Sequence, residues 1–179
     1  SGTQPGAHAT WGKLMPVPMP TVAQVDSLPS LLERRIPPEW QDLNGHVNVR
    51  HYLELYDAAS WPMLAAFGLD ERIFLEQRQG LFDLEHHLWY LSELHVGDTV
   101  TVHSRFLERN AKRFHGVMFV VDRTRQRLAT AFEYVSTGAD LDARRTAPLP
   151  AAFAAQLDRM IAEHARLDWP APVCGVMSV

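Results

Sequence analysis

At 179 residues, with 46% hydrophobic and 21% charged residues, the chain has the size and make-up of one soluble globular domain with a single sizeable core. A formal net charge of −4 argues against a nucleic-acid binder, whose affinity rests on a basic surface, and no run approaches the roughly eighteen consecutive apolar residues of a membrane span. The lone cysteine, Cys174, gives no disulfide framework within one chain and suits a reducing compartment, so the cytoplasm is the expected location.

The chain opens Ser1-Gly2, without an initiator Met, and no apolar h-region of a signal peptide follows. Residues 1–30, interrupted by Pro5, Pro16, Pro18, Pro20 and Pro29, read as an irregular N-terminal extension, with Trp11 docking on the body. Residues 31–170 read as the folded domain and 171–179 as a tail. Leu31–Ile36 suits a short strand halted by Pro37-Pro38. Asn48 is a good N-cap, and Val49, Tyr52, Leu53, Tyr56, Ala59, Met63 and Phe67 recur at helical spacing up to Gly68. Pro62 should kink that helix or end it near Trp61.

After Gly80 the period becomes two. Phe82, Leu84, His86, Leu88 and Tyr90 alternate with Asp83, Glu85, His87 and Trp89. Thr99–Glu108, Arg113–Asp122 and Arg127–Thr137 are further runs of strand formers joined by turn residues, an antiparallel meander. Pro148-Leu149-Pro150 precedes an amphipathic helix over 151–167. One five-stranded antiparallel sheet on one long helix is an α+β layout.

The most informative stretch is Trp40-Gln41-Asp42-Leu43-Asn44-Gly45-His46-Val47-Asn48. It sets a carboxylate just ahead of the N-terminus of a buried helix, whose free N–H groups and dipole favour an anion. Gly45 lets the backbone turn tightly. A base beside an anion-stabilising cradle is the minimum for hydrolysing an activated acyl group, although a capped helix with a solvated loop Asp has the same sequence.

Asp42-Leu43-Asn44-Gly45-His46-Val47-Asn48 followed by Tyr52 resembles the D-x-x-G-H-V-N…Y signature of 4-hydroxybenzoyl-CoA-type thioesterases, a family with the hot-dog fold: an antiparallel sheet wrapped on a long helix. Glu85-x-His87-x-x-Tyr90-Leu91-x-Glu93 with Gly97-Asp98, Lys112-Arg113-x-His115, and Glu133 with Arg144-Arg145 resemble its betainyl-CoA thioesterase branch. Where that branch leads one to expect His-Val-Asp after the last strand, this chain has Gly138-Ala139-Asp140. The resemblance implies an acyl-CoA substrate, no metal or organic cofactor, and a homodimer or homotetramer with sites at subunit junctions. It makes Asp42 the catalytic carboxylate, as nucleophile or as base for water, and the Val49 N–H, helped by Asn48, the oxyanion donor.

His46 is a proton relay or a structural histidine holding the Asp42 loop. Tyr52, Tyr90, Glu85 and His87 are candidates for the acyl pocket, where two or three of Trp40, Tyr52, Tyr56, Trp61, Trp89 and Tyr90 converging would cage a quaternary ammonium, with Glu85 adding Coulomb attraction. Lys112 and Arg113, at a hairpin start, suit a clamp on CoA phosphates. Glu85, His86, His87 and His95 do not make a metal motif, because neighbouring strand residues point to opposite faces. Two other readings share these residues. A hot-dog enoyl-CoA hydratase would place His five residues after Asp, with Pro where Gly45 stands, and a non-catalytic acyl-CoA-binding protein would not need Asp42.

Overall fold

The computed structural model describes residues 17–179; the expected docking of Trp11 lies outside them. The chain runs α1 (Val22–Val25), β1 (Ser30–Arg35), a 3-10 turn (Pro38–Trp40), α2 (Arg50–Ala66), α3 (Glu71–Leu75), β2 (Gln79–Tyr90), β3 (Thr99–Arg109), β4 (Arg113–Asp122), β5 (Arg127–Asp140), β6 (Arg145–Thr146) and α4 (Ala151–His164). The sheet is antiparallel in the order β1-β3-β4-β5-β2, with β6 added on β5. It therefore has six strands rather than five, because two-residue β6 is too short to leave a periodic signal. It curls round α2, the arrangement expected of the hot-dog fold.

Two elements arise where no regular structure was expected. Thr21 and Gln24 form a capping box that starts α1 within the proline-spotted stretch. Asp70 accepts from the Ile73 N–H and starts α3. Pro62 does not end α2 near Trp61; the helix runs on to Ala66. Pro62 is exposed, so the Ala58 carbonyl that loses its partner there is on a side where water replaces it.

The core packs α2 into the sheet. Leu55, Ala59 and Met63 of the helix, all buried, meet Val102, Met118 and Phe132 of the strands. A second cluster lies on the other sheet face, where Val25 and Leu28 from the N-terminal segment and Trp169 from the C-terminal segment cover Val117, Phe119 and Trp89. Buried Arg105 fastens this cover, donating to the Trp169 carbonyl at 2.6 Å with its guanidinium 4.2 Å from the indole centroid. The chain's own ends thus cover apolar surface that the bare sheet would have exposed.

β2 departs from simple alternation. Its register against β5 shifts between Asp83, opposite Ser136, and Glu85, opposite Val135. This bulge at Leu84 resets the side-chain phase, so Asp83 and His86 both meet Tyr56 of α2, while Phe82 is 65% exposed. Glu85 and His87 fall on the same side as Trp89, which belongs to the outer cluster, with the His87 ring 4.3 Å from that indole. They are correspondingly turned away from α2. Gly138 also has a local reason: a Cβ there would stand 2.5 Å from the Ala147 carbonyl oxygen and 3.0 Å from that of Pro148. No side chain, histidine included, fits while that backbone crosses.

Buried His164 accepts the Phe106 N–H on Nδ1 at 2.9 Å, and His103 is buried beneath the Leu28 carbonyl. Burial holds both imidazoles below the ordinary histidine range. As pH falls below about 6.5 the unfolded chain takes up protons that the folded chain refuses, so stability present above that pH is lost below it. Tm should fall between about pH 7.5 and about pH 5.5. His164→Asn, whose amide oxygen still accepts the Phe106 N–H, should fall less; scanning calorimetry showing the same slope for both proteins would remove His164 from the effect.

Candidate active site

The loop before α2 is a miniature hairpin. The Asn48 N–H donates to the Trp40 carbonyl at 2.8 Å, the Asp42 N–H to the His46 carbonyl at 3.0 Å, and the Gly45 N–H to the Asp42 carbonyl at 3.1 Å. Gly45 turns the chain at φ 84°, a left-handed conformation that side chains disfavour. Val47 is tied to the body by its N–H to the Leu94 carbonyl at 2.8 Å. Trp40, buried, stacks on His51 in the first turn of α2, ring centroids 4.6 Å apart. The loop is therefore pinned by backbone and ring together to the start of the helix.

Asp42 uses one carboxylate oxygen to accept the Asn44 N–H at 2.8 Å, an Asx turn that orients it. His46 Nδ1 lies 3.8 Å from that oxygen, beyond hydrogen-bond range, and 3.2 Å from the Val47 carbonyl. At the helix start, Asn48 Oδ1 accepts from the Arg50 N–H at 3.2 Å. The Asn48 side chain thus does the capping expected of it, although the helix is counted from one residue later. The Asn48 and Arg50 amides are consequently taken. Among the described residues nothing accepts the N–H of Val49 between them.

Asp42, His46, Asn48, Val49, Tyr52 and Tyr90 line one open cleft of about 440 Å³. Tyr52 and Tyr90 meet edge to face at 5.2 Å, and burial pushes the Tyr52 phenol up to about 12. Asn44, Val47, Ser92 and Glu93 complete the wall. Glu93 is a second carboxylate in the cleft that sequence reasoning did not place, although it closes the Tyr90-Leu91-x-Glu93 stretch. Glu85, His87, Lys112 and Arg113 are not among the lining residues. The bulge turns the first two to the outer face. Arg113 pairs with Thr137 and Tyr90 with Thr130, so the basic hairpin start lies roughly 23 Å along β5 from the cleft of its own chain.

A second, smaller cavity of about 160 Å³ follows along α2. It holds Asp83, which accepts from the Tyr56 hydroxyl at 3.1 Å and the Ser136 hydroxyl at 2.5 Å. His86 Nε2 stands 3.3 Å from its other oxygen. Burial works against the Asp83 charge, but the nearby His86 imidazole and the hydrogen bonds from Ser136 and Tyr56 outweigh it and hold the carboxyl below its ordinary range. Sequence alternation grouped Asp83 with Glu85 and His87, and the bulge separates it from them. Among the described residues no group of three or more His, Cys, Asp or Glu side chains is placed to hold a metal ion, and no helix is long and apolar enough to cross a membrane.

A sheet wrapped on a long helix, with a carboxylate and an unspent amide at the helix start, is the layout expected of a hot-dog enzyme of the acyl-thioester class. Comparison with known proteins agrees. Residues 36–157 match the thioesterase-like superfamily, to which the chain belongs. The betainyl-CoA thioesterase of Pseudomonas aeruginosa is 30% identical over 82% of this chain and 92% of its own length. The L-carnitine dehydrogenase/betainyl-CoA thioesterase of Rhizobium meliloti is 26% identical over 78% of this chain, which spans only 28% of that protein. In fold, a Staphylococcus aureus protein solved in complex with CoA superposes with a TM-score of 0.75 at 23% identity, over 85% of this chain and 96% of its own. The 1,4-dihydroxy-2-naphthoyl-CoA thioesterase of Synechocystis superposes with a TM-score of 0.63 at 20% identity, over 78% and 97%.

The left-handed turn at Gly45 gives a test of the loop. No heavy atom lies within 4 Å of a Cβ built there, so the cost of substitution is conformational. Gly45→Ala should destabilise by about 1–2 kcal/mol, and Gly45→Asn, which tolerates this backbone better, by less. Equal denaturation midpoints for all three proteins would show that the loop relaxes to another turn.

Proposed function

We propose that this chain hydrolyses a small acyl-CoA to the free acid and CoA, with Asp42 as the catalytic carboxylate and the Val49 N–H as the oxyanion donor. The observation that carries the assignment is the unspent Val49 amide, set in one cleft with a carboxylate whose loop is pinned to the same helix turn. Asp42, as nucleophile or as base for a water, drives attack on the carbonyl carbon. Negative charge then gathers on the carbonyl oxygen, where the Val49 N–H and the positive end of α2 oppose it. The C–S bond breaks and CoA leaves as a thiolate, a leaving group good enough to need no strong general acid. Val47 and Tyr52 give the cleft an apolar wall against the acyl group. The betainyl-CoA named for the Pseudomonas relative is the acyl group we favour.

We also propose that the working unit is a homodimer or homotetramer built on β2. That strand forms one edge of the sheet, with Phe82, Leu84 and Tyr90 exposed along its length. A long unpaired apolar edge is a template for a second strand. The outer face, covered by the chain's own ends, gives less support. Only a second copy across this edge could bring Lys112 and Arg113 towards a neighbouring cleft.

Asp42→Asn should keep the fold and lower kcat by about two to four orders of magnitude. Val49→Pro tests the amide separately: Val49 has φ −52°, which proline adopts, and proline is tolerated at a helix start. It should cut kcat by about two to three orders of magnitude with Tm nearly unchanged. Retention of half the wild-type kcat by either variant would remove that group from the mechanism. Glu93→Gln is the control for the other carboxylate, and should leave more activity than Asp42→Asn. Light scattering should give a mass of at least twice 20.3 kDa; a monomer at micromolar concentration would overturn the assembly.

A further inference from the structure

The second cavity is built differently from the cleft. Its walls are largely aromatic, with Tyr56, Trp61, Phe74, Phe114 and Tyr134 beside two carboxylates, Asp83 and the exposed Asp57. Both hydrogen-bonding hydroxyls approach the same carboxylate oxygen, that of Tyr56 and that of Ser136. The other oxygen has only His86 near it, and the Asp83 side chain remains 38% exposed. Among the described residues no lysine or arginine pairs with it. An ionised carboxylate among aromatic rings, with no lysine or arginine paired to it, is the chemistry that holds an organic ammonium: the rings attract it through their quadrupoles and the carboxylate through Coulomb force. At about 160 Å³ the space is well below the 300–1,000 Å³ common for whole drug-sized ligands, and suits a compact head group.

Position joins the cavity to the cleft. Tyr52 lines the cleft and Tyr56 the cavity, one turn apart on α2. Along the axis of α2, Tyr56, which donates to Asp83, lies about 6 Å beyond Tyr52 and about 11 Å beyond Val49. A short acyl chain ending in a bulky cation covers that kind of span.

We propose that the Tyr56–Asp83 cavity is the acyl-specificity subsite and takes a quaternary ammonium head group. This rests on the thioesterase reading above and names its substrate class. It also relocates the aromatic cage expected from the sequence. Tyr56 and Trp61 remain in it, Phe74, Phe114 and Tyr134 join, and Asp83 supplies the charge in place of Glu85, which the bulge turns to the outer face.

The test compares betainyl-CoA with its uncharged isostere 3,3-dimethylbutanoyl-CoA, on wild type and on Asp83→Asn, which keeps the shape and removes the charge. Wild type should prefer the cation in kcat/KM, and Asp83→Asn should lower the cation-to-neutral ratio at least tenfold. Calorimetric titration with glycine betaine, against 3,3-dimethylbutanoate, reads the cavity without turnover: wild type should bind betaine more tightly, and Asp83→Asn should lose that margin. An unchanged ratio together with unchanged titrations overturns the subsite. A wild type that hydrolyses neither thioester overturns the thioesterase reading instead, and the titrations still judge the cavity. Should Asp83→Asn not fold, Trp61→Ala carries the same comparison, because Trp61 is 51% exposed at the rim.

Discussion

The hydrogen bond from the Asn48 amide to the Trp40 carbonyl decides which donor at the start of α2 is left over. A helix begins with several N–H groups that have no partner of their own. Here the loop consumes one of them and the Asn48 side chain another, through Arg50, so the remaining polarity is concentrated at Val49. The same closure fixes where Asp42 can stand, because Trp40 is anchored on His51 in the turn that presents the Val49 amide. The carboxylate and the anion site are held by one set of contacts lying mostly within residues 40–51, with the tie from the Val47 N–H to the Leu94 carbonyl added. A reaction that needs a base and an oxyanion donor in fixed relation gains preorganisation from that economy.

This locality explains what could be read in advance. The Asp42 loop rests on an Asx turn, a left-handed glycine and a capping asparagine, all short-range devices with sequence signatures. The long helix and the three-strand meander were equally legible, since each sustains its period over many residues. The short elements were not. α1, α3 and β6 span four, five and two residues, too few to establish a period. The outer cover was also hidden, because Trp169 and Val25 owe their burial to Arg105 and the sheet behind them rather than to any local pattern.

The second cavity was hidden for a sharper physical reason. Strict alternation along β2 puts Asp83 with Glu85 and His87, and one bulge at Leu84 breaks that grouping. A single extra residue flips every side chain on one side of it. Glu85 and His87, attractive as a polar pair in sequence, go to the outer face, and Asp83 with His86 replaces them beside α2. Gly138 reads differently for a similar reason. In sequence it is a missing histidine; in the fold it is the place where the segment before Pro148 crosses β5 too closely for any side chain.

The two cavities and the free edge of the sheet belong to one problem in water exclusion. Val49 and Tyr90, both exposed, stand in the wall of the cleft, and exposed Trp61 stands in the wall of the Asp83 cavity. Apolar groups are thus left in water at the rims of the two spaces where charge has to be handled. In a wet site the Val49 amide would compete with solvent for the oxyanion, and the pull of Asp83 on a cation would be screened. Removing water strengthens both interactions by lowering the local dielectric. A second copy seated along β2 would bury Phe82, Leu84 and the rim side chains together. Burying them supplies hydrophobic free energy for association, and the same event dries the sites. In the proposed assembly one apolar edge would serve both association and electrostatics.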